Sequence, residues 1–180
     1  MLATRVGYTG GSQHAPTYHS LGDHVEAVEV VFDPQRLTYE ELLAVFWRSH
    51  PAWLPAGPRR AATAVFVHDE AQRRAALASK ADLEARSGEP VKTEVLAAGT
   101  FWPAEPVHQK WNLQRLLPDL VREQAIAGTN APSFLDSTAA AKLNSYLGSF
   151  AGAEAVATAA AALELEPAEL QRRLDAAREP

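Results

Sequence analysis

Between Val25 and His50 the apolar residues change period, from every second residue to helical spacing, across a single short turn. Few architectures accommodate such a switch. Val25 to Phe32 is valine-rich and alternating, which predicts a strand, and Asp33-Pro34 closes it as a turn. Thr38 and Glu41 then form a Thr-x-x-Glu capping box, after which Leu42, Leu43, Val45, Phe46 and Trp47 recur at helical spacing. The alternation repeats downstream. Three prolines between Pro51 and Pro58 end the helix and return the chain to a strand over Ala62 to Val67. Asp69 opens a second helix with Gln72 as its reciprocal cap and Gly88 near its end, and Val91 to Leu96 reads as another strand. Upstream, Leu2 to Tyr8 reads as a strand running into the Gly10-Gly11 turn. Strands separated by helices predict an α/β (α+β) fold: one mixed sheet of these four strands packed against helices at 38–50 and 69–87.

After Pro103 the pattern turns helical, with a short segment around Glu105 to Trp111, a helix from Leu113 to Ala127, a loop at 128–132 and a helix from Asp136 to Leu147. Beyond Gly152 alanine dominates, and Leu163, Leu165, Leu170 and Leu174 are the large apolar residues. The composition shift predicts a domain over 1–150 and a helical tail over 151–180 that docks weakly or frays. With 180 residues, 47% of them apolar, one core is expected. The longest uncharged small-residue run, Ala155 to Leu163, is far short of the roughly 20 residues of a spanning helix, and the N-terminus lacks a signal pattern. The expectation is a cytoplasmic protein that does not engage membranes. A net charge of −5, with 17 basic residues spread along the chain, disfavours nucleic-acid binding.

The chain has no cysteine, which removes disulfides, thiolate metal sites and thiol nucleophiles together. Glu26 is the most informative titratable residue, because in strand register it shares a face with Val28, Val30 and Phe32. If that face is the core side, partial desolvation raises its pKa and suits it to general-acid work; the alternative is that it points past the strand end into water. His14, His19 and His24 recur at five-residue intervals, but zinc motifs use closer pairs, so solvated loop histidines and no metal are expected. Gly10-Gly11 lacks the helix start and spacing of a phosphate loop. Trp47, Trp53, Phe101, Trp102 and Trp111 could line an apolar pocket, with core packing the commoner use.

Several segments together resemble one family. Thr4-Arg5-Val6-Gly7-Tyr8-Thr9-Gly10-Gly11, then Pro16-Thr17-Tyr18 and Leu21-Gly22-Asp23-His24-Val25-Glu26-Ala27-Val28, are followed by Val31-Phe32-Asp33-Pro34 and Tyr39-Glu40-Glu41-Leu42-Leu43 with Phe46-Trp47. Phe66-Val67-His68-Asp69-Glu70 and Phe101-Trp102-Pro103-Ala104-Glu105 with His108-Gln109 keep the same order. Over about 2–148 the chain resembles the type A peptide methionine sulfoxide reductases, which reduce the S-epimer of methionine sulfoxide. The resemblance implies their two-layer mixed-sheet sandwich and a role in repair of oxidised methionine. It also implies a methionine sulfoxide peptide or protein as substrate and thioredoxin or dithiothreitol as reductant, with no bound cofactor. By resemblance Tyr18 and Glu26 are catalytic and hold the sulfoxide oxygen, and His24 lies with them in the substrate site.

The departures are as specific as the match. In the family a Gly-Cys-Phe-Trp strand supplies the attacking cysteine and the aromatics that hold the methyl group; no such stretch occurs in this chain, which reads as starting just downstream of it. A second expected tyrosine is replaced by Ala61. The resemblance therefore implies either a reductase whose nucleophilic segment lies outside this sequence, or a pseudoenzyme kept as a peptide- or partner-binding module. Because the family's first strand and helix lie in mid-sheet, an apolar groove is expected in their place.

Overall fold

The computed structural model describes residues 2–54, 57–127 and 134–178. Five strands form: β1 (Ala3–Thr9), β2 (Val25–Val31), β3 (Ala64–Val67), β4 (Glu94–Ala97) and β5 (Trp102–Pro103). Seven helices accompany them among the described residues: α1 (Tyr39–Arg48), α2 (Glu70–Ser87), α3 (Trp111–Leu116), α4 (Pro118–Ala127), α5 (Thr138–Leu147), α6 (Ala153–Ala162) and α7 (Pro167–Arg178). The expected caps are present. Thr38 accepts from the Glu41 N–H while the Glu41 side chain accepts from the Thr38 N–H, so both halves of the capping box close on α1. Asp69 caps α2 through the Gln72 N–H, and Gly88 ends it in the left-handed region at φ 70°. The Gln72 side chain reaches back one residue further than expected, to the His68 N–H at 3.0 Å.

The strands do not make the single sheet expected of them. β1 is the centre of a three-stranded sheet in the order β2-β1-β5, whereas β3 and β4 form a separate parallel pair. The short β5 explains part of this. It pairs antiparallel with β1, Gly7 opposite Pro103 and Tyr8 opposite Trp102, and so takes the edge of β1 that another long strand could have used. Gly7 permits the approach: a Cβ there would sit 2.4 Å from the Trp102 carbonyl oxygen and 2.5 Å from the Phe101 ring.

By contacts the chain divides into two units, Val6–Ala104 and Met1–Arg5 with Glu105–Pro180. In the first, Tyr8, Leu21 and Ala104 form one buried cluster, and Leu43, Val67 and Ala76 another, with Trp47 packed against it and donating to the Ser79 hydroxyl at 2.9 Å. In the second, Leu113, Leu120, Leu143, Leu147, Val156, Leu170 and Leu174 form a helical core. Lys110 Nζ donates to the Thr4 carbonyl and Thr138 Oγ1 to the Leu2 carbonyl, each at 2.7 Å, which fastens the start of the chain to that unit.

Four expectations change here. The packing division falls after Ala104 rather than near residue 150, and the alanine-rich stretch is no frayed tail, because Val156, Leu170 and Leu174 are buried. Small alanines let α6 approach α5 closely, so a low-volume helix becomes a core helix. The helix expected over Leu113 to Ala127 breaks at Leu117, since Pro118 has no N–H to give and serves instead as the first residue of α4. Ser137 caps α5, so Asp136 belongs to a short 3-10 turn before it. The loop read at 128–132 lies outside the described residues.

Candidate functional site

The turn after β1 folds against the entry to β2 through side chains. The Ser12 N–H donates to Asp23 Oδ1 at 2.8 Å and the Ser12 hydroxyl to Oδ2 at 3.1 Å. The backbone bond from Ser12 is the main reason that the Asp23 carboxyl lies below its ordinary pKa range. Next to it His24 is 1% exposed. Its Nδ1 accepts the Gly11 N–H at 3.2 Å, which assigns the ring proton to Nε2, 2.8 Å from the Gln13 carbonyl. His24 is therefore not a solvated loop histidine. It is a buried strut, both ring nitrogens committed to backbone. His14 and His19 are exposed, and no group of three His, Cys, Asp or Glu side chains capable of holding a metal occurs among the described residues.

Glu26 follows two residues later on β2. Its neighbours in register, Val28, Val30 and Phe32, line a cleft of about 570 Å³ together with Glu26, but so do Ala27 and Glu29 from the opposite row, so the cleft follows the unpaired edge of β2 rather than one face. That edge is open rather than packed. Val28 is 61% exposed and the Glu26 side chain 46% exposed, so Glu26 does not sit on a core-facing side of the strand. α1 contributes Tyr39, Leu42, Val45 and Phe46 to the cleft, and β3 contributes Val65 and Phe66. β2 and β3, each bonded on one edge in its own sheet, thus border one apolar cleft.

What Glu26 meets is a cation. Arg60 donates to Glu26 Oε1 from Nη2 at 2.6 Å and from Nε at 3.1 Å, and its guanidinium carbon lies 4.8 Å from the centre of the Tyr18 ring. The bonds to Glu26 hold Arg60 above the ordinary range of a guanidinium. Tyr18 and Glu26, paired by sequence resemblance, are thus brought together with Arg60 between them. Tyr18 is exposed and does not line the cleft. Arg60 belongs to a 3-10 turn, Arg59–Ala61, that follows the proline-rich loop. Its neighbour Arg59 fixes the turn by bonding the Asp23 and Gly10 carbonyls and Glu94. Sequence reasoning missed Arg60, because nothing in local periodicity aims a residue of an irregular loop at a strand 34 positions earlier.

The aromatic set disperses. Phe101 lines the cleft, Trp47 and Trp102 pack in the two clusters of their unit, and Trp53 and Trp111 are exposed. The Tyr39 hydroxyl is buried with no hydrogen-bond partner among the described residues, and burial raises its pKa, so it stays a neutral phenol.

The mixed α/β fold, with its open sheets and flanking helices, is of the methionine sulfoxide reductase A type. Methionine sulfoxide reductase A of Corynebacterium diphtheriae shares it over 66% of this chain and 66% of its own, with a TM-score of 0.53 at 24% identity. The sequence carries the assignment further. The model of the peptide methionine sulfoxide reductase family matches residues 1–124. A peptide methionine sulfoxide reductase of Drosophila melanogaster is 37% identical over 174 residues, 95% of this chain and 69% of that protein. Peptide methionine sulfoxide reductase A5 of Oryza sativa is 40% identical over 152 residues, 81% of this chain and 59% of that protein. This chain belongs to the peptide methionine sulfoxide reductase family. No helix among the described residues is long and apolar enough to cross a membrane.

Proposed function

We propose that this chain recognises methionine sulfoxide in peptides and does not by itself reduce it. One observation carries the reading: a family member, matched across 95% of its length by a relative, in which the cysteine count is zero. Reduction of a sulfoxide delivers two electrons to sulfur and releases the oxygen as water. By the family's route a thiolate attacks sulfur, and a second thiol then closes a disulfide. Glu26, Tyr18 and Arg60 can hydrogen-bond or polarise an S–O group, but none can donate an electron pair to sulfur and be regenerated by thiol. Positioned acid assistance supplies about 10²–10⁴-fold to a proton transfer and no electrons. The test is a reduction assay with a methionine sulfoxide peptide and excess dithiothreitol. The rates with and without protein should be equal; release of methionine that follows the protein through purification would overturn the reading.

A second reading has an observation of its own. The chain spans 69% and 59% of the Drosophila and rice relatives, and β2 and β3 each leave one edge unpaired beside the apolar cleft. In this reading the chain is part of a longer reductase whose cysteine lies on a preceding segment, with thioredoxin or dithiothreitol as reductant. An in-frame Gly-(Cys or stop)-Phe-Trp upstream of the Met1 codon supports it, and its absence removes it.

A further inference from the structure

We infer that the cleft bordered by β2 and β3 accepts one extended peptide strand from another molecule, which pairs with the free edge of each and joins the two sheets. The inference goes beyond sulfoxide recognition, since what it assigns is the holding of a peptide main chain, whatever side chains the peptide carries. Hydrogen bonding is the starting point. Among the described residues β2 is laddered only to β1 and β3 only to β4, so each presents one strand edge with no neighbouring strand. Both edges border the same cleft, because its lining takes consecutive residues from each: Ala27, Val28 and Glu29 on β2, and Ala64, Val65 and Phe66 on β3. Consecutive residues point to opposite faces of a strand, so a lining that includes both rows follows the edge. Neither edge is blunted. Val25–Val31 and Ala64–Val67 contain no proline, glycine or lysine, the residues that commonly keep an exposed edge from pairing.

Two free edges on one cleft also decide what fits it. A helix bonds its own backbone, and a compact apolar ligand has few donors or acceptors, so either would cover the valines and bury two rows of backbone groups unpaired. A strand from a second copy of this chain fails for another reason. Each of the five described strands is already laddered along at least one edge, so none can pair on both sides. What remains is an extended peptide free along both edges, the arrangement in which main-chain bonds supply affinity and alternate side chains supply selectivity. α1 contributes Leu42, Val45 and Phe46 to the cleft, which suits apolar residues at every second position of that peptide. The four residues of β3 set the length over which both ladders can run. Charge selects further. The lining holds two carboxylates, Glu26 and Glu29, and no lysine or arginine, so a basic residue in the peptide complements it and an acidic one does not.

The experiment changes the peptide and leaves the chain intact, so a failure to fold cannot imitate a result. The probe is acetyl-Lys-Val-Thr-Val-Thr-Val-amide, which contains no methionine or its sulfoxide, titrated into the full chain while backbone amide exchange is followed by NMR. In an extended strand successive N–H groups point to opposite edges, so N-methylation of the first two valines blocks one edge and N-methylation of the two threonines blocks the other. The unmodified probe should bind and slow amide exchange in both β2 and β3. Each N-methylated form should bind about tenfold more weakly or worse, the loss expected for two missing ladder bonds. Replacing the lysine of the probe by glutamate should weaken binding severalfold at low salt, with the difference shrinking as salt is added. Equal binding of the N-methylated and unmodified probes reduces the cleft to an apolar surface and overturns the inference. Loss with only one N-methylated form places the peptide on a single edge, and that too overturns it. So does protection of β2 and β3 that rises with protein concentration in the absence of probe, which assigns the cleft to a second copy, and so does the absence of any binding. Sulfoxide recognition is tested separately by a methionine sulfoxide peptide, and none of these outcomes depends on it.

Discussion

A buried imidazole between two backbone groups contributes through what its removal exposes. Without His24, the Gly11 N–H and the Gln13 carbonyl lose the partners that now lie at 3.2 and 2.8 Å, in a part-buried site. His24→Ala should therefore lower the free energy of unfolding by about 1–3 kcal/mol in urea titration. His19→Ala, at an exposed position, should stay within about 0.5 kcal/mol. Equal losses in both variants would refute the strut. His24 also marks how far single residues can be read. The five-residue spacing treats His14, His19 and His24 alike, and only the docking of the Gly10 turn on Asp23 makes one of them a core residue. For Glu26 the register was legible and the burial was not, because alternation names the face of a strand but not whether another layer covers it.

Helix α1 is the element whose sequence and structure agree most closely, since every partner in its cap lies within four residues. The Thr38 N–H and hydroxyl hold the Glu41 carboxyl below its ordinary range. A carboxylate with a lowered folded-state pKa stabilises the folded chain at pH above its unfolded value, about 4.3, and that contribution is lost as pH falls through the folded-state value. The difference in unfolding free energy between wild type and Glu41→Gln should accordingly be largest near neutrality and shrink on acidification below about pH 4. A difference that grew on acidification would have the wrong sign for the cap. Thr38→Ala, which breaks the other half of the box, should cost about 1 kcal/mol. Where partners are distant the reading weakens: Leu113 to Ala127 reads as one helix despite Pro118, because apolar spacing on both sides of the proline suits one helix or two.

At the scale of the molecule the helices beyond Gly152 decide how much of the chain is structural. Leu170 and Leu174 on α7 are fully buried among side chains from α3, α4, α5 and α6. Leu170→Ala should cost about 2–5 kcal/mol, the range for a large apolar side chain removed from a packed core, whereas a weakly docked tail would lose less than about 0.5 kcal/mol. Denaturant titration of that single variant separates the two.

The local code, read without any structure, determined the elements and the family: strand alternation, a capping box, a glycine C-cap and an ordered series of motifs all act over a few residues, where chain connectivity already brings the interacting groups together. Absence of cysteine is likewise a property of sequence alone, and it constrains the chemistry whatever the fold. Tertiary structure alone decided that the strands divide into two sheets, that alanine-rich helices complete a core, that His24 is buried and that Arg60 stands between Tyr18 and Glu26. Each of these depends on pairs tens of residues apart, whose meeting is set by the packing of whole elements, and no short-range pattern encodes which of them meet.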